Sequence, residues 1–168
     1  MKIYDSSEYR ATVDWPYSIS AGCIVYRLVD GVPEVMLLKR EVGHSHNPQD
    51  IAIYSAPKGH NEFDETLIQT ALRETEEESG SVATIETYLG STLRSFYHPV
   101  YNVPIDKATH YFAGLWQKDT NQMDGEHDGK LWLTPEEAIR LLEETSTPRG
   151  EAEMVRRLLK FLELTNAS

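Results

Sequence analysis

The order of elements along this 168-residue sequence predicts an α+β fold. Segments rich in β-forming residues dominate the first two-thirds of the chain, with one helical segment among them, and two helical segments follow. Strand and helix do not alternate regularly, which argues against a doubly wound parallel sheet. The sequence has no internal repeat and no long linker, so residues 1–168 are interpreted as one domain, in which 1–16 are an N-terminal segment before the first strand.

Strands are predicted where β-branched and aromatic residues cluster between turn-forming residues. These segments are 17–29, 35–39, 51–55, 84–97, 109–117 and 131–133. The first two are joined by Asp30-Gly31, a pair that favours a tight hairpin turn. Between the second and third strands, the polar segment 43–50 is predicted to be an exposed loop, and Pro57 with Gly59 ends the third strand.

Three helices are predicted from apolar periodicity and from capping residues. The first spans 66–79 and stops at Gly80, a residue type that favours the left-handed C-cap conformation. The second opens at Thr134 with proline at its first position and two acidic residues in its first turn. The third is an amphipathic segment over 150–164.

Acidic residues outnumber basic ones 27 to 16, which gives a formal net charge of −11. Such a surface repels phosphate backbones and anionic lipids, so neither a nucleic-acid polymer nor a membrane is an expected partner. An anionic substrate would need a local reversal of charge, and a divalent metal ion is the usual device. The oligomeric state is left open.

A reducing compartment is expected because the only cysteine, Cys23, lies in an apolar run where a buried thiol is the natural interpretation. The N-terminal residues lack the apolar segment of a secretory signal. No stretch reaches the roughly 20 apolar residues of a membrane span. Together these features predict a cytoplasmic protein.

The first predicted helix carries an unusual set of glutamates. With about 100° per residue, an apolar stripe is expected at Leu67, Ile68, Ala71, Leu72 and Thr75. Glu74, Glu77 and Glu78 fall within an arc of about 100° along one margin of this stripe, whereas Glu76 points away.

This placement distinguishes a metal site from a solvated acidic face, since only Glu76 is well placed for the latter. Carboxylates three or four residues apart repel one another, and the edge of a core adds a desolvation penalty. A bound Mg²⁺ or Mn²⁺ would offset both effects because hard cations prefer carboxylate oxygens.

Residues 59–81 resemble the Nudix box, in which a glycine is followed after five residues by glutamate and after seven more by Arg-Glu-x-x-Glu-Glu-x-Gly. The matching residues are Gly59, Glu65, Arg73, Glu74, Glu77, Glu78 and Gly80. Thr75 and Ser81 stand where the family usually has aliphatic residues. The resemblance implies an α/β/α sandwich with a central mixed sheet. It also implies metal-assisted attack of water on a nucleoside diphosphate that is linked to another moiety.

The resemblance also implies roles for individual residues. Glu74, Glu77 and Glu78 would be metal ligands, with Glu74 and Glu77 counted as catalytic and Glu74 also able to act as a base. The backbone carbonyl of Lys58 is a further candidate ligand. The remaining box residues are expected to be structural: Gly59, Glu65, Arg73 and Gly80.

The substrate class is suggested by three features outside the core of the box. Residues 57–60, Tyr97 and the segment 126–132 resemble the corresponding parts of diadenosine tetraphosphate hydrolases. In that group the glutamate at the start of the last segment is a metal ligand or a base, so Glu126 is nominated for both roles; the alternative is one more acidic residue in an acidic loop. The implied reaction splits the substrate asymmetrically into ATP and AMP.

Five residues are candidates for binding the nucleotide. Tyr54 and Tyr97 are suited to stacking on adenine, although either could equally be a core aromatic residue. Lys58 and His60 belong to the segment that resembles the hydrolases. Lys107, just before a strand, is placed to pair with a phosphate, although a solvated lysine is the alternative.

Other functions remain open at this point. Residues 20–23 resemble the opening of diphosphoinositol polyphosphate phosphohydrolases, but such a substrate demands clustered cations and the sequence offers scattered ones. An oxidised-nucleotide triphosphatase is a further enzymatic alternative. A non-catalytic nucleotide sensor is the alternative from another class, and the complete glutamate set argues against it.

Overall fold

The structure, a computed structural model, describes residues 16–41, 52–97, 102–144 and 150–166. The predicted loop 43–50 and residues 1–15 of the N-terminal segment lie outside the described residues.

The described residues form seven strands in one mixed sheet. The strands are β1 (Tyr17–Val29), β2 (Val32–Glu41), β3 (Ala52–Ser55), β4 (Lys58–His60), β5 (Ser81–Tyr97), β6 (Pro104–Asp119) and β7 (Gly129–Leu133). The main order is β3-β2-β1-β6-β5, with β4 paired to β1 and β7 paired to β2. β1 and β6 run parallel and the remaining pairs are antiparallel, which confirms the mixed sheet.

Three helices of the described part of the chain cover the sheet. They are α1 (Leu67–Ser79), α2 (Pro135–Glu144) and α3 (Glu151–Asn166). The ends of α1 are set by local chemistry: Thr66 and Gln69 form a reciprocal capping box, and Gly80 closes the helix with a left-handed φ of 63°.

The core lies on both faces of the sheet because successive side chains of β1 point to opposite sides. Ile24 and Tyr26 pack in the cluster that contains residues of α2 and α3. Cys23 and Val25 pack in the cluster that contains Ala71 of α1. Helices therefore lie on both faces, and the predicted α+β sandwich is confirmed.

Several details differ from the predictions. β4 was not predicted, since three residues around a glycine carry no strand signal of their own and pair only because β1 lies beside them. β5 and β6 extend beyond the predicted segments because they form one long antiparallel ribbon. Ile68 was expected in the buried stripe of α1 but is 43% exposed.

None of the helices in the described part of the chain is long and apolar enough to cross a membrane.

Candidate active site

A cleft of about 420 Å³ opens between α1, β4 and the connection from β6 to β7. It is lined by Arg40, Ser55, Lys58, Gly59, His60, Glu62, Arg73, Glu74, Glu77, Glu78, Lys107, Asp124, Glu126 and His127. The fold thus brings the box glutamates together with Glu126, which lies 48 or more residues further along the chain. We call this the acidic cleft.

Glu78 is the most deeply placed carboxylate of the acidic cleft. Glu78 is only 9% exposed, and the backbone N–H of Lys58 donates to its Oε2 at 2.9 Å. Burial raises the pKa of Glu78 to about 7; the hydrogen bond and charge of Lys58 oppose this rise, and the negative charges of Glu74 and Asp124 add to it. The site therefore holds a carboxylate whose charge the protein alone compensates poorly.

Glu74 lies against β4, where the absence of a side chain at Gly59 makes room for it. A Cβ atom at Gly59 would lie 2.1 Å from Cδ of Glu74. Burial is the largest influence on this carboxyl and raises its pKa, although the guanidinium of Arg73 opposes the rise. The glycine at this position is thus required by close approach.

Arg73 links the box loop to the carboxylates of α1. Its Nε lies 2.6 Å from Oε1 of Glu65, and its Nη2 donates to the carbonyl of His60 at 3.0 Å. Its Nη1 lies 2.6 Å from Oε1 of Glu74 and 3.2 Å from Oε2 of Glu77. The hydrogen bond from Arg73 to Glu65 lowers the pKa of the Glu65 carboxyl. Arg73 and Glu65 therefore fix the loop before the helix against the helix itself.

The donor set fits a hard divalent cation in its chemistry. Within the described ranges, no three carboxylate, imidazole or thiol groups already surround one point as the ligands of a metal ion would. Glu74 and Glu77 nevertheless both contact one cationic nitrogen of Arg73, so their carboxylates are placed to share a positive charge. The carboxyl of Glu78 adds further oxygen ligands, and a bound cation would favour its ionised form. Residues of this kind are suited to Mg²⁺ or Mn²⁺.

The connection from β6 to β7 also lines the acidic cleft, through Asp124, Glu126 and His127. The N–H of Asp124 donates to the carbonyl of Glu77 at 2.8 Å, and the N–H of Glu126 donates to Oδ1 of Asp124 at 2.9 Å. Arg40 donates from Nε to the carbonyl of Glu126 at 3.2 Å. These bonds connect the backbone of the exposed Glu126 to α1 and to β2, and Glu126 lines the cleft with the glutamates of α1. Sequence reasoning did not identify Asp124.

His127 is a second residue of this connection that sequence reasoning did not identify. Its Nδ1 is buried and has no hydrogen-bond partner within the described part of the chain, and burial lowers its pKa. Burial therefore favours the neutral form of the imidazole that lines the cleft beside Glu126.

Glu151, at the start of α3, is a buried carboxylate that contacts Lys58, one of the residues that line the cleft. It is 2% exposed, and its oxygens accept hydrogen bonds from the N–H of Ala56 and the hydroxyl of Tyr111, both at 3.0 Å. The Nζ of Lys58 lies 2.7 Å from its Oε1. The side chain of Lys58 is thus directed towards α3, while its backbone N–H holds Glu78.

The signal for Glu151 is present in the sequence. It shares the helical phase of the buried Val155, Leu158 and Leu162, at spacings of four, seven and eleven residues. A carboxylate on the apolar face of an amphipathic helix indicates a buried partner.

The remaining predicted binding residues lie in three places. His60 and Lys107 line the acidic cleft. Tyr54 packs, partly buried, against the core cluster under α2 and α3. Tyr97 stands at the last position of β5 and is 68% exposed. Neither tyrosine is among the described residues that line the cleft.

Comparisons with known proteins place the chain in a family. A family model, the NUDIX domain, matches residues 16–158. The chain is 28% identical over 122 residues to the asymmetrical bis(5'-nucleosyl)-tetraphosphatase of Caenorhabditis elegans, across 73% of this chain and 83% of that protein.

Solved structures share the fold. The binary complex of a C. elegans Ap4A hydrolase superposes with a TM-score of 0.60 at 22% identity, covering 87% of this chain and 98% of that one. The MutT protein from Methanosarcina mazei Go1 gives a TM-score of 0.62 at 21% identity, covering 89% and 97%. At these identities the likeness concerns the fold alone.

Proposed function

The chain belongs to the NUDIX domain family and is a Nudix hydrolase, and from this premise we propose that it hydrolyses a dinucleoside polyphosphate with the help of Mg²⁺ or Mn²⁺. The proposed substrate is diadenosine tetraphosphate, which water would split into ATP and AMP.

One observation carries this proposal: Glu74, Glu77 and Glu78 line a single cleft at the edge of the core, together with Glu126. Burial raises the pKa values of Glu74 and Glu78, so their ionised carboxylates do not stabilise the fold. Such perturbed groups are typical of functional sites. A divalent cation removes the penalty and attracts an anionic substrate to an otherwise repulsive surface.

The residues proposed to hold the metal are the three glutamates, the backbone carbonyl of Lys58 and Glu126. When bound, the cation supplies positive charge that neutralises phosphoryl oxygens and acidifies nearby water. Glu74 is proposed to accept the proton of the attacking water, because its carboxylate lines the cleft together with the other proposed ligands. Glu126, an exposed residue that lines the same cleft, is the alternative acceptor.

The choice of substrate is supported by the similarity to a protein that carries the asymmetrical tetraphosphatase name. It is also supported by His60 and Lys107, which line the cleft with the carboxylates and have the chemistry to contact phosphates. Lys58 is the weaker candidate, because its Nζ is paired with the buried Glu151. Tyr97 remains proposed as a stacking residue for a base, since its ring is exposed. Tyr54 is the weaker candidate because it packs against the core.

The proposal is tested by incubating the protein with diadenosine tetraphosphate and Mg²⁺ and separating the nucleotides by anion-exchange chromatography. Equal amounts of ATP and AMP are expected. Two molecules of ADP per substrate, or no turnover, would contradict the proposal. Glu76→Gln is the matched control for Glu78→Gln, because Glu76 lies exposed on the same helix and outside the cleft.

A diphosphoinositol polyphosphate is the second candidate substrate, and one observation favours it. The cations Lys58, Arg94 and Lys107 are scattered in the sequence, but the fold gathers them around one cavity. A parallel assay with an inositol pyrophosphate separates the two candidates. Turnover of that compound without turnover of the dinucleotide would reverse the ranking.

A further inference from the structure

A second cavity, of about 210 Å³, lies beside the acidic cleft on the ribbon of β5 and β6. It is lined by Lys58, Thr92, Arg94, Phe96, Lys107, Thr109 and Tyr111. Although the chain carries a net charge of −11, this lining has three cations and, among the described residues, no carboxylate. Lys58 and Lys107 line the acidic cleft as well, so the two cavities adjoin. We call the second one the cationic cavity.

Two of its cations face each other across the ribbon. Arg94 of β5 is the register partner of Lys107 of β6, and the next pair on the same face is Thr92 with Thr109. The Cβ atoms of directly opposed residues are about 4.5–5.5 Å apart, and like charges placed there destabilise a sheet. An anion bound between the two side chains would turn this repulsion into attraction.

The third cation contributes less to the potential of the cavity. The Nζ of Lys58 lies 2.7 Å from a carboxylate oxygen of the buried Glu151, which neutralises it inside the protein. Asp106, the acidic residue next to Lys107, belongs to the other face of the ribbon, where its carboxylate accepts a hydrogen bond from Ser95. Arg94 and Lys107 are the two other cations of this lining.

The guanidinium of Arg94 lies over an aromatic ring. The Cζ of its guanidinium lies 5.6 Å from the ring centroid of Phe96, two residues further along the same face of β5. A guanidinium is planar and donates two parallel hydrogen bonds to a phosphate, and it keeps this capacity while it lies over a ring. The hydroxyls of Thr92 and Thr109 add neutral hydrogen-bonding groups to the same wall.

We propose that the cationic cavity is a phosphoryl subsite, in which Arg94 and Lys107 bind the phosphoryl groups that lie beyond the bond being hydrolysed. This inference rests on the proposed function for the position of the reacting phosphorus, beside the glutamates. A volume of about 210 Å³ is below the range of about 300–1,000 Å³ of pockets that enclose a whole ligand. It suits a phosphoryl group better than a whole nucleoside. The enzyme should therefore prefer substrates with longer phosphate chains.

The subsite is tested without hydrolysis by titrating inorganic tripolyphosphate into the protein in the presence of EDTA and following binding by calorimetry. Arg94→Met, which keeps a long apolar stem over Phe96, should weaken binding at least about tenfold, as expected for the loss of a charged hydrogen-bond donor. Arg94→Lys should lose less. Arg140→Met, an identical change in an exposed ion pair on α2, is the control and should leave binding unchanged. Equal binding by wild type and Arg94→Met would overturn the inference.

The preference for chain length gives a second readout. Arg94→Met should lower kcat/KM for diadenosine tetraphosphate more than for ADP-ribose, which has only two phosphoryl groups, and the difference should appear mainly in KM. An equal loss on both substrates would contradict a distal subsite.

Failure of this inference and failure of the proposed function give different results. If the wild type binds tripolyphosphate through Arg94 but hydrolyses no dinucleotide, the function is wrong and the subsite stands. If the wild type hydrolyses the dinucleotide, and Arg94→Met equals the wild type in tripolyphosphate binding and in kcat/KM, the subsite is wrong and the function stands. Glu78→Gln should bind tripolyphosphate at least as tightly as the wild type, although it should no longer hydrolyse substrate.

Discussion

Glu78→Gln is expected to stabilise the fold at neutral pH while it removes activity. The Glu78 carboxyl is buried at the edge of the core, and its pKa is raised from 4.5 to about 7. Since one pKa unit corresponds to 1.36 kcal/mol, ionising this group in the folded protein costs about 3 kcal/mol relative to the unfolded chain. Glutamine has nearly the same shape, and its Oε1 can still accept the hydrogen bond from the N–H of Lys58.

The direction of the pH dependence follows from the raised pKa of Glu78. Below pH 4.5 the carboxyl is protonated in both states and its contribution to stability is complete. As the pH rises to about 7, the unfolded chain releases the proton first, so stability is lost through this range. Because glutamine does not titrate, the difference in unfolding free energy between Glu78→Gln and wild type should widen by about 2–3 kcal/mol between pH 5 and pH 8.

The assay is equilibrium unfolding in urea, in EDTA, at pH 5 and at pH 8. Glu76→Gln is the control, because it makes the same substitution at an exposed position of the same helix. The same comparison in thermal melts should give a change of about 5–10 °C for a chain of this size. Adding Mg²⁺ at pH 8 should narrow the gap, since a cation favours the charged carboxylate that only the wild type has. A gap that stays constant from pH 5 to pH 8 would refute the burial argument.

Three further predictions concern the geometry of the site. Glu74→Gln and Glu78→Gln should each lower kcat for AMP release at least about a hundredfold, and an equal loss in Glu76→Gln would show that the orientation of α1 is wrong. Gly59→Ala should melt close to wild type but lose activity, because its Cβ displaces the flexible carboxylate of Glu74. Gly22→Ala should lower the melting temperature, because its Cβ would lie 2.2 Å from the backbone oxygen of Pro57. A lower melting temperature for Gly59→Ala than for Gly22→Ala would contradict this reasoning. Glu151→Ala should cost about 3–5 kcal/mol in urea unfolding because it leaves Lys58 buried without its counter-ion, and a cost below about 1 kcal/mol would mean that the pair is solvated.

Local signals in the sequence were sufficient for α1 and its charged margin. Thr66 and Gly80 cap the helix from within its own segment, and the helical period alone puts Glu78 beside the core and Glu76 outside it. Ile68 was misplaced because the period gives the direction of a side chain but not the width of the surface that covers it.

Features that depend on pairing between distant segments could not be predicted. β4 forms only because Gly22 and its neighbours in β1 lie beside Lys58 and its neighbours. The meeting of Arg94 with Lys107 requires the register of β5 on β6, which shifts at several irregularities in the first half of the ribbon. Asp124 enters the cleft through a backbone bond to α1, which has no sequence signature.

The central claim is that carboxylates at the edge of the core hold a divalent cation. It is tested most directly by titrating Mn²⁺ into the protein and measuring free Mn²⁺ by electron paramagnetic resonance, with and without ADP. Wild type and Glu76→Gln should bind Mn²⁺ alike, and Glu74→Gln and Glu78→Gln should bind it at least about tenfold more weakly. If all of the Mn²⁺ stays free in the wild type under both conditions, the account is contradicted.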